Sequence, residues 1–102
     1  MWHEVLRTEE VEDGFGVRVE VAGERIAVFR DGERFYAVGD RCSHAEASLS
    51  EGEVFDGEVE CPRHGSVFDL VTGAARSLPA TRPVPTYPVR ATDGVIEVEV
   101  SA

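Results

Sequence analysis

Arg41-Cys42-Ser43-His44 and, after sixteen intervening residues, Cys61-Pro62-Arg63-His64-Gly65-Ser66 hold both cysteines and two of the three histidines of the chain. The pattern is C-x-H followed by C-x-x-H. Each half offers one thiolate and one imidazole from a tight turn, so four soft-to-borderline metal donors are available once the halves meet. The segment between them contains the means of meeting. Glu53 to Phe55 and Glu58 to Glu60 flank Asp56-Gly57, a short-range hairpin signal because glycine tolerates the positive φ of a primed turn. Three uses of the four side chains are open on this pattern. A Cys42–Cys61 disulfide leaves both histidines without a role. A mononuclear Cys2His2 zinc site employs all four, but structural zinc ligands are usually separated by two to four residues and only Ser43 separates Cys42 from His44. A binuclear cluster removes that crowding, because Cys42 and His44 then bind different metal ions.

On either side of this stretch the chain is punctuated at short intervals by Asp13-Gly14, Ala22-Gly23, Asp31-Gly32, Thr72-Gly73 and Asp93-Gly94. Val17, Val19 and Val21 alternate with Arg18 and Glu20, and Ile96, Val98 and Val100 with Glu97 and Glu99, the period of a half-buried strand. Glu24 to Arg30 and Arg34 to Val38 flank Asp31-Gly32 and predict a second hairpin. No segment has the pattern of a helix of ten or more residues, and Cys42 to Ser50 reads as a loop. Short strands joined by glycine turns predict an all-β fold, a small antiparallel barrel or sandwich. Four of the five prolines fall between Leu78 and Pro88, which predicts a stiff extended loop outside any central strand, covering a neighbouring site.

The chain has 102 residues, a length that suits one domain with one core. Ten basic residues, all arginine, stand against twenty acids for a net charge of −10, and no basic run interrupts them. Such a chain is repelled by phosphate, so a nucleic-acid role is not expected. No window approaches the apolar length of a membrane span, and Met1 to Gly14 carries acids where a signal peptide has basic and apolar residues. The expected compartment is the cytoplasm, where paired cysteines hold metal or do redox chemistry more often than they form disulfides.

These residues resemble the Rieske family. Arg41-Cys42-Ser43-His44 matches its first loop, Cys61-Pro62-Arg63-His64-Gly65-Ser66 with Phe68-Asp69 its second, and the prolines from Pro79 onward its third. In that family one 2Fe-2S cluster has one iron held by two cysteines and the other by two histidines. By motif position the resemblance implies Cys42 and Cys61 on the first iron and His44 and His64 on the second. It implies that the Ser66 hydroxyl bonds a cluster sulfur and that Gly65 leaves room for close approach of the backbone. It also implies one Rieske domain over 1–102, an antiparallel base with a cluster-binding subdomain inserted at about 40–80. Neutral imidazoles make the centre easier to reduce than an all-thiolate one, within about −150 to +300 mV. High-potential members carry an extra cysteine pair and a tyrosine where this chain has Phe68; neither is present, which places the expected potential in the middle or lower part of the range.

The likeness extends to the small Rieske ferredoxins of bacterial multicomponent oxygenases. It implies an electron carrier, not itself an enzyme, that takes single electrons from a flavin-containing, NAD(P)H-dependent ferredoxin reductase. It hands them to the terminal oxygenase of a ring-hydroxylating dioxygenase. The chain is expected to be a monomer that meets both partners transiently, its acidity guiding basic partners toward a face fringed by Glu46, Glu51, Glu53 and Asp69. Alternatives are a Rieske ferredoxin of another redox pathway, such as iron-sulfur assembly or the small subunit of a nitrite reductase, and a zinc-stabilised interaction module. His3, with no cysteine beside it, reads as a surface residue.

Overall fold

The computed structural model describes residues 1–43, 47–63, 65–78 and 80–100. Among the described residues ten strands form three antiparallel sheets. The first sheet has the order β1 (Trp2–Arg7), β10 (Val95–Glu99), β9 (Val89–Thr92). The second runs β2 (Gly16–Val21), β3 (Glu24–Asp31), β4 (Arg34–Gly39), β8 (Thr86–Tyr87). The third is β5 (Glu53–Phe55), β6 (Glu58–Glu60), β7 (Val67–Asp69). Among the described residues the only helical pieces are single 3-10 turns at Thr8–Glu10 and Leu49–Glu51.

The second sheet is the middle layer, and β3 shows why. Its run Ile26-Ala27-Val28-Phe29 is buried throughout, yet successive side chains point to opposite faces. Ile26 and Val28, with Ala37 of β4, join Val11, Val21, Ile96, Val98 and Val100 in one core. Ala27 and Phe29, with Val38, join Leu49, Val59, Phe68, Leu70, Ala80, Val84 and both cysteines in the other. An uninterrupted apolar run is what a strand covered on both sides requires.

The expected hairpins form, with one shift. Phe55 pairs with Glu58 across Asp56-Gly57, and both loop residues have positive φ, as a type I′ turn needs. In the other, Asp31 itself pairs with Arg34, so the loop is Gly32-Glu33 and not Asp31-Gly32. The reason lies outside the hairpin. The Asp31 carboxylate accepts the Gly57 N–H at 2.8 Å, and the Gly32 N–H donates to Asp13 at 2.6 Å. The proline stretch also departs slightly from a pure loop, since Thr86 and Tyr87 form a two-residue strand pairing Val38 and Ala37. That strand lies at a sheet edge, the position proline-flanked segments tolerate. Pro88, with no N–H to donate, stands between β8 and β9 where the chain changes sheets.

A buried carboxylate fixes the end of β4. Asp40 is 0% exposed, and its Oδ2 accepts from Arg25 Nε at 2.9 Å. Its Oδ1 accepts the Ser50 N–H at 2.9 Å, and the Ser48 hydroxyl lies within 2.7 Å of both oxygens. The Asp40 N–H donates to the Arg25 carbonyl and its carbonyl accepts from Leu49 N–H. Burial by itself raises the carboxyl, but the bonds from Ser48, Ser50 and Arg25 together hold it below the usual carboxylate range. The charged form therefore ties β3, β4 and the 3-10 turn together two residues before Cys42.

Replacing Asp40 by Ala should cost about 3 kcal/mol, the low end for breaking a buried pair because Arg25 is partly exposed and can turn to water. Asp40→Asn, which keeps contacts to Ser48 and Ser50, should lose less; urea unfolding of the two variants checks this. A second weak point is Gly73, which has φ +78° and accepts the Val84 N–H at 2.9 Å. A Cβ there would run into the Val84 carbonyl oxygen. Gly73→Ala should destabilise by at least about 2 kcal/mol and free the proline stretch, seen as faster hydrogen exchange at the Val84 amide.

Candidate metal centre

The two cysteines come from turns built alike. The first turn leaves β4 and is closed by a bridge between Arg41 and Ser48 and by the Cys42 N–H donating to Ala47 O at 3.0 Å. The second joins β6 to β7 and is closed by the Cys61 N–H donating to Ser66 O at 2.7 Å. In each case the cysteine amide bonds the carbonyl five residues on. Along the sequence, the histidine of each motif falls between the two residues so bonded.

Cys42 and Cys61 are buried, at 3% and 1% exposure, with no disulfide between them, and their sulfurs are within hydrogen-bond reach of one another. Burial, with the Cys42 contact added, pushes the Cys61 thiol up to about 11, while a backbone N–H from Arg63 to its sulfur acts the other way. Two desolvated thiols aimed at one point, one already receiving an amide hydrogen bond, suit a metal that binds thiolate and returns positive charge to the site. His44 and His64 lie outside the described residues. Among the described residues no three His, Cys, Asp or Glu side chains gather at a metal-binding distance.

Ser66 is 0% exposed and its Oγ accepts the Ala80 N–H at 3.1 Å, so the proline stretch is anchored to the second turn. Ser43 donates its hydroxyl to Arg82 O at 2.7 Å and anchors the same stretch to the first turn. The expected cover thus bridges both motifs, although Pro79 itself is outside the described residues. Gly65 has φ +72°, and no described atom lies within 4 Å of where a Cβ would stand. Left-handed backbone, and not crowding by neighbouring protein, is what reserves this position for glycine. Phe68 is fully buried in the core shared with both cysteines.

Two features escaped the sequence pattern. Asp40, Ser48 and Arg25 support the first turn, but no spacing rule links an aspartate to an arginine fifteen positions back. The absence of a basic run also does not mean the absence of a basic site. Arg18, Arg25, Arg41 and Arg63, scattered along the chain, line one cleft of about 430 Å³ with Pro62 and Glu51.

Residues 1–88 match the family model described as the Rieske [2Fe-2S] domain. The chain is 48% identical over 101 residues to the anthranilate 1,2-dioxygenase ferredoxin subunit of Burkholderia cepacia, covering 97% of this chain and 92% of the relative. Its fold is similar to that of the ferredoxin of carbazole 1,9a-dioxygenase from Nocardioides aromaticivorans IC177, with TM-score 0.90, 36% identity and 96% of each chain covered. It is also similar to a chain in the complex of reduced oxygenase and oxidized ferredoxin in carbazole 1,9a-dioxygenase, with TM-score 0.87, 38% identity, and 95% and 91% of the two chains covered. Two buried thiols on matched turns, beneath a strap anchored to both, are thus found in a chain that belongs to the Rieske [2Fe-2S] family.

Proposed function

We propose that this protein is the ferredoxin of a ring-hydroxylating dioxygenase system, carrying single electrons on one Rieske-type 2Fe-2S cluster from a flavin-containing, NAD(P)H-dependent reductase to a terminal oxygenase. The observation that carries this is the convergence of the buried Cys42 and Cys61 thiols, in a chain nearly half identical to a dioxygenase ferredoxin subunit. Cys42 and Cys61 would hold one iron and His44 and His64 the other. When bound, the cluster supplies a one-electron couple that its neutral imidazole ligands keep less negative than an all-thiolate centre.

The chain's own residues do the rest. The Phe68, Val59 and Leu49 side chains exclude water from the cysteine side, and the Arg63 N–H stabilises charge on the Cys61 sulfur. The Ser66 hydroxyl accepts from the Ala80 N–H, and with the cluster bound it would donate to a cluster sulfur. Gly65 supplies the left-handed turn that leads from His64 back into β7. The whole of 1–102 works as one domain, with residues about 40–80 as the cluster-binding subdomain. It acts as a monomer in the cytoplasm, and among the described residues no helix is long and apolar enough to cross a membrane. It performs no turnover of its own, and its long-range acidic field speeds transient encounters with a basic partner.

Anaerobically prepared protein should contain about two irons and two acid-labile sulfides per chain and give a Rieske-type EPR signal after dithionite reduction. Cys61→Ser and His64→Ala should each abolish that signal. A single zinc, or cluster retained without His64, would overturn the assignment. With the cluster in place, Ser66→Ala should lower the midpoint potential by roughly 60 mV and Phe68→Tyr should raise it by a similar amount, because a hydrogen bond to sulfur favours the reduced, more negative state. Protein-film voltammetry reads both, and unchanged potentials would remove Ser66 from the cofactor-binding set.

A further inference from the structure

The arginine cleft lies directly beside the two cysteine turns. Arg41 precedes Cys42, Ala47 and Ser48 complete the first turn, and Pro62 and Arg63 belong to the second. Arg18 and Arg25 arrive from β2 and β3. Four of the chain's ten arginines thus face one concavity in a protein of net charge −10. Among the described residues two acids moderate it. Arg25 is paired with Asp40, and Glu51 sits on the lining. Among the described residues the Arg18 and Arg63 guanidinium groups have no ion-pair partner. The balance inside the cleft is positive.

We infer that this cleft is a docking seat for the carboxylates of an acidic protein partner, so that one redox partner is gripped next to the cluster through arginine. The inference rests on the electron-carrier function proposed above and reverses the sign of contact expected from total charge. Net charge acts at long range and is screened within about 8 Å at physiological salt. What a partner meets on contact is the local set of groups. Arginine suits that contact because its planar fork pairs carboxylates bidentately. The other occupant such a surface admits, a partner with a basic contact edge, finds Arg18 and Arg63 repulsive.

The test uses the reduced, cluster-loaded protein and stopped-flow oxidation by two cobalt(III) complexes of opposite charge, the tris(oxalato) trianion and the hexaammine trication. Cytochrome b5 serves as an acidic protein acceptor. Arg18→Glu should slow the trianion and cytochrome b5 by at least about threefold at low ionic strength, with the difference vanishing near 0.5 M salt, and should speed the trication. Arg34→Glu makes the same change in net charge on an exposed residue outside the cleft and should have a much smaller effect. Visible spectrum and midpoint potential should be unchanged in both. Should Arg18→Glu fail to fold, Arg18→Gln must show about half the effect on a logarithmic scale. Equal effects of Arg18→Glu and Arg34→Glu, or none, would overturn the docking seat while leaving the electron carrier standing. Wild-type protein with no cluster spectrum would overturn both.

Discussion

Asp40 is a fully buried charge, and the arrangement above it depends on that charge being satisfied. A carboxylate in such a place is tolerated only when donors surround it, and here they come from three directions, Arg25 on β3, Ser48 on the returning limb of the turn and the Ser50 amide. The stalk of the first cysteine turn is therefore held by a hydrogen-bond network centred on Asp40. The second turn needs no such device, because β6 and β7 are already paired and set its width. Two turns with the same amide-to-carbonyl closure are thereby held by different means.

The middle sheet transmits that order. β3 gives one face to each core, so the layer carrying the cysteines and the layer formed by β1, β9 and β10 pack against a common strand. The proline stretch completes the enclosure from a different part of the chain. It hydrogen-bonds to Ser43, Ser66 and Gly73 and pairs with β4 at Gly39. A loop with few backbone donors is economical here, since each anchor uses one of the N–H or C=O groups it retains. Gly39 and Gly73 allow the close approach, because a side chain at either would meet Pro85 or Val84.

Much of this was legible in advance. The cysteine turns, the Asp56-Gly57 hairpin, the alternating strands at 17–21 and 96–100 and, among the described residues, the absence of long helices all depend on neighbours within a few residues, where spacing encodes geometry. The Asp31 hairpin marks the limit of that local logic. Its turn moved by one residue because Asp31 and Gly32 are drawn to Gly57 and Asp13, partners remote in the chain. The strand Trp2–Arg7 carries little alternation and exists through its pairing with β10.

Residue order alone was sufficient for the family and the all-β class, since each is written in short motifs whose chemistry is local. It did not contain the Asp40 network, the shared burial of Cys42 and Cys61, or the sign of charge beside them. Those depend on distances between groups far apart along the chain, and Coulombic and hydrogen-bond energies follow separation in space. An acidic protein can hold a cationic cleft because folding brought Arg18, Arg25, Arg41 and Arg63 to one place.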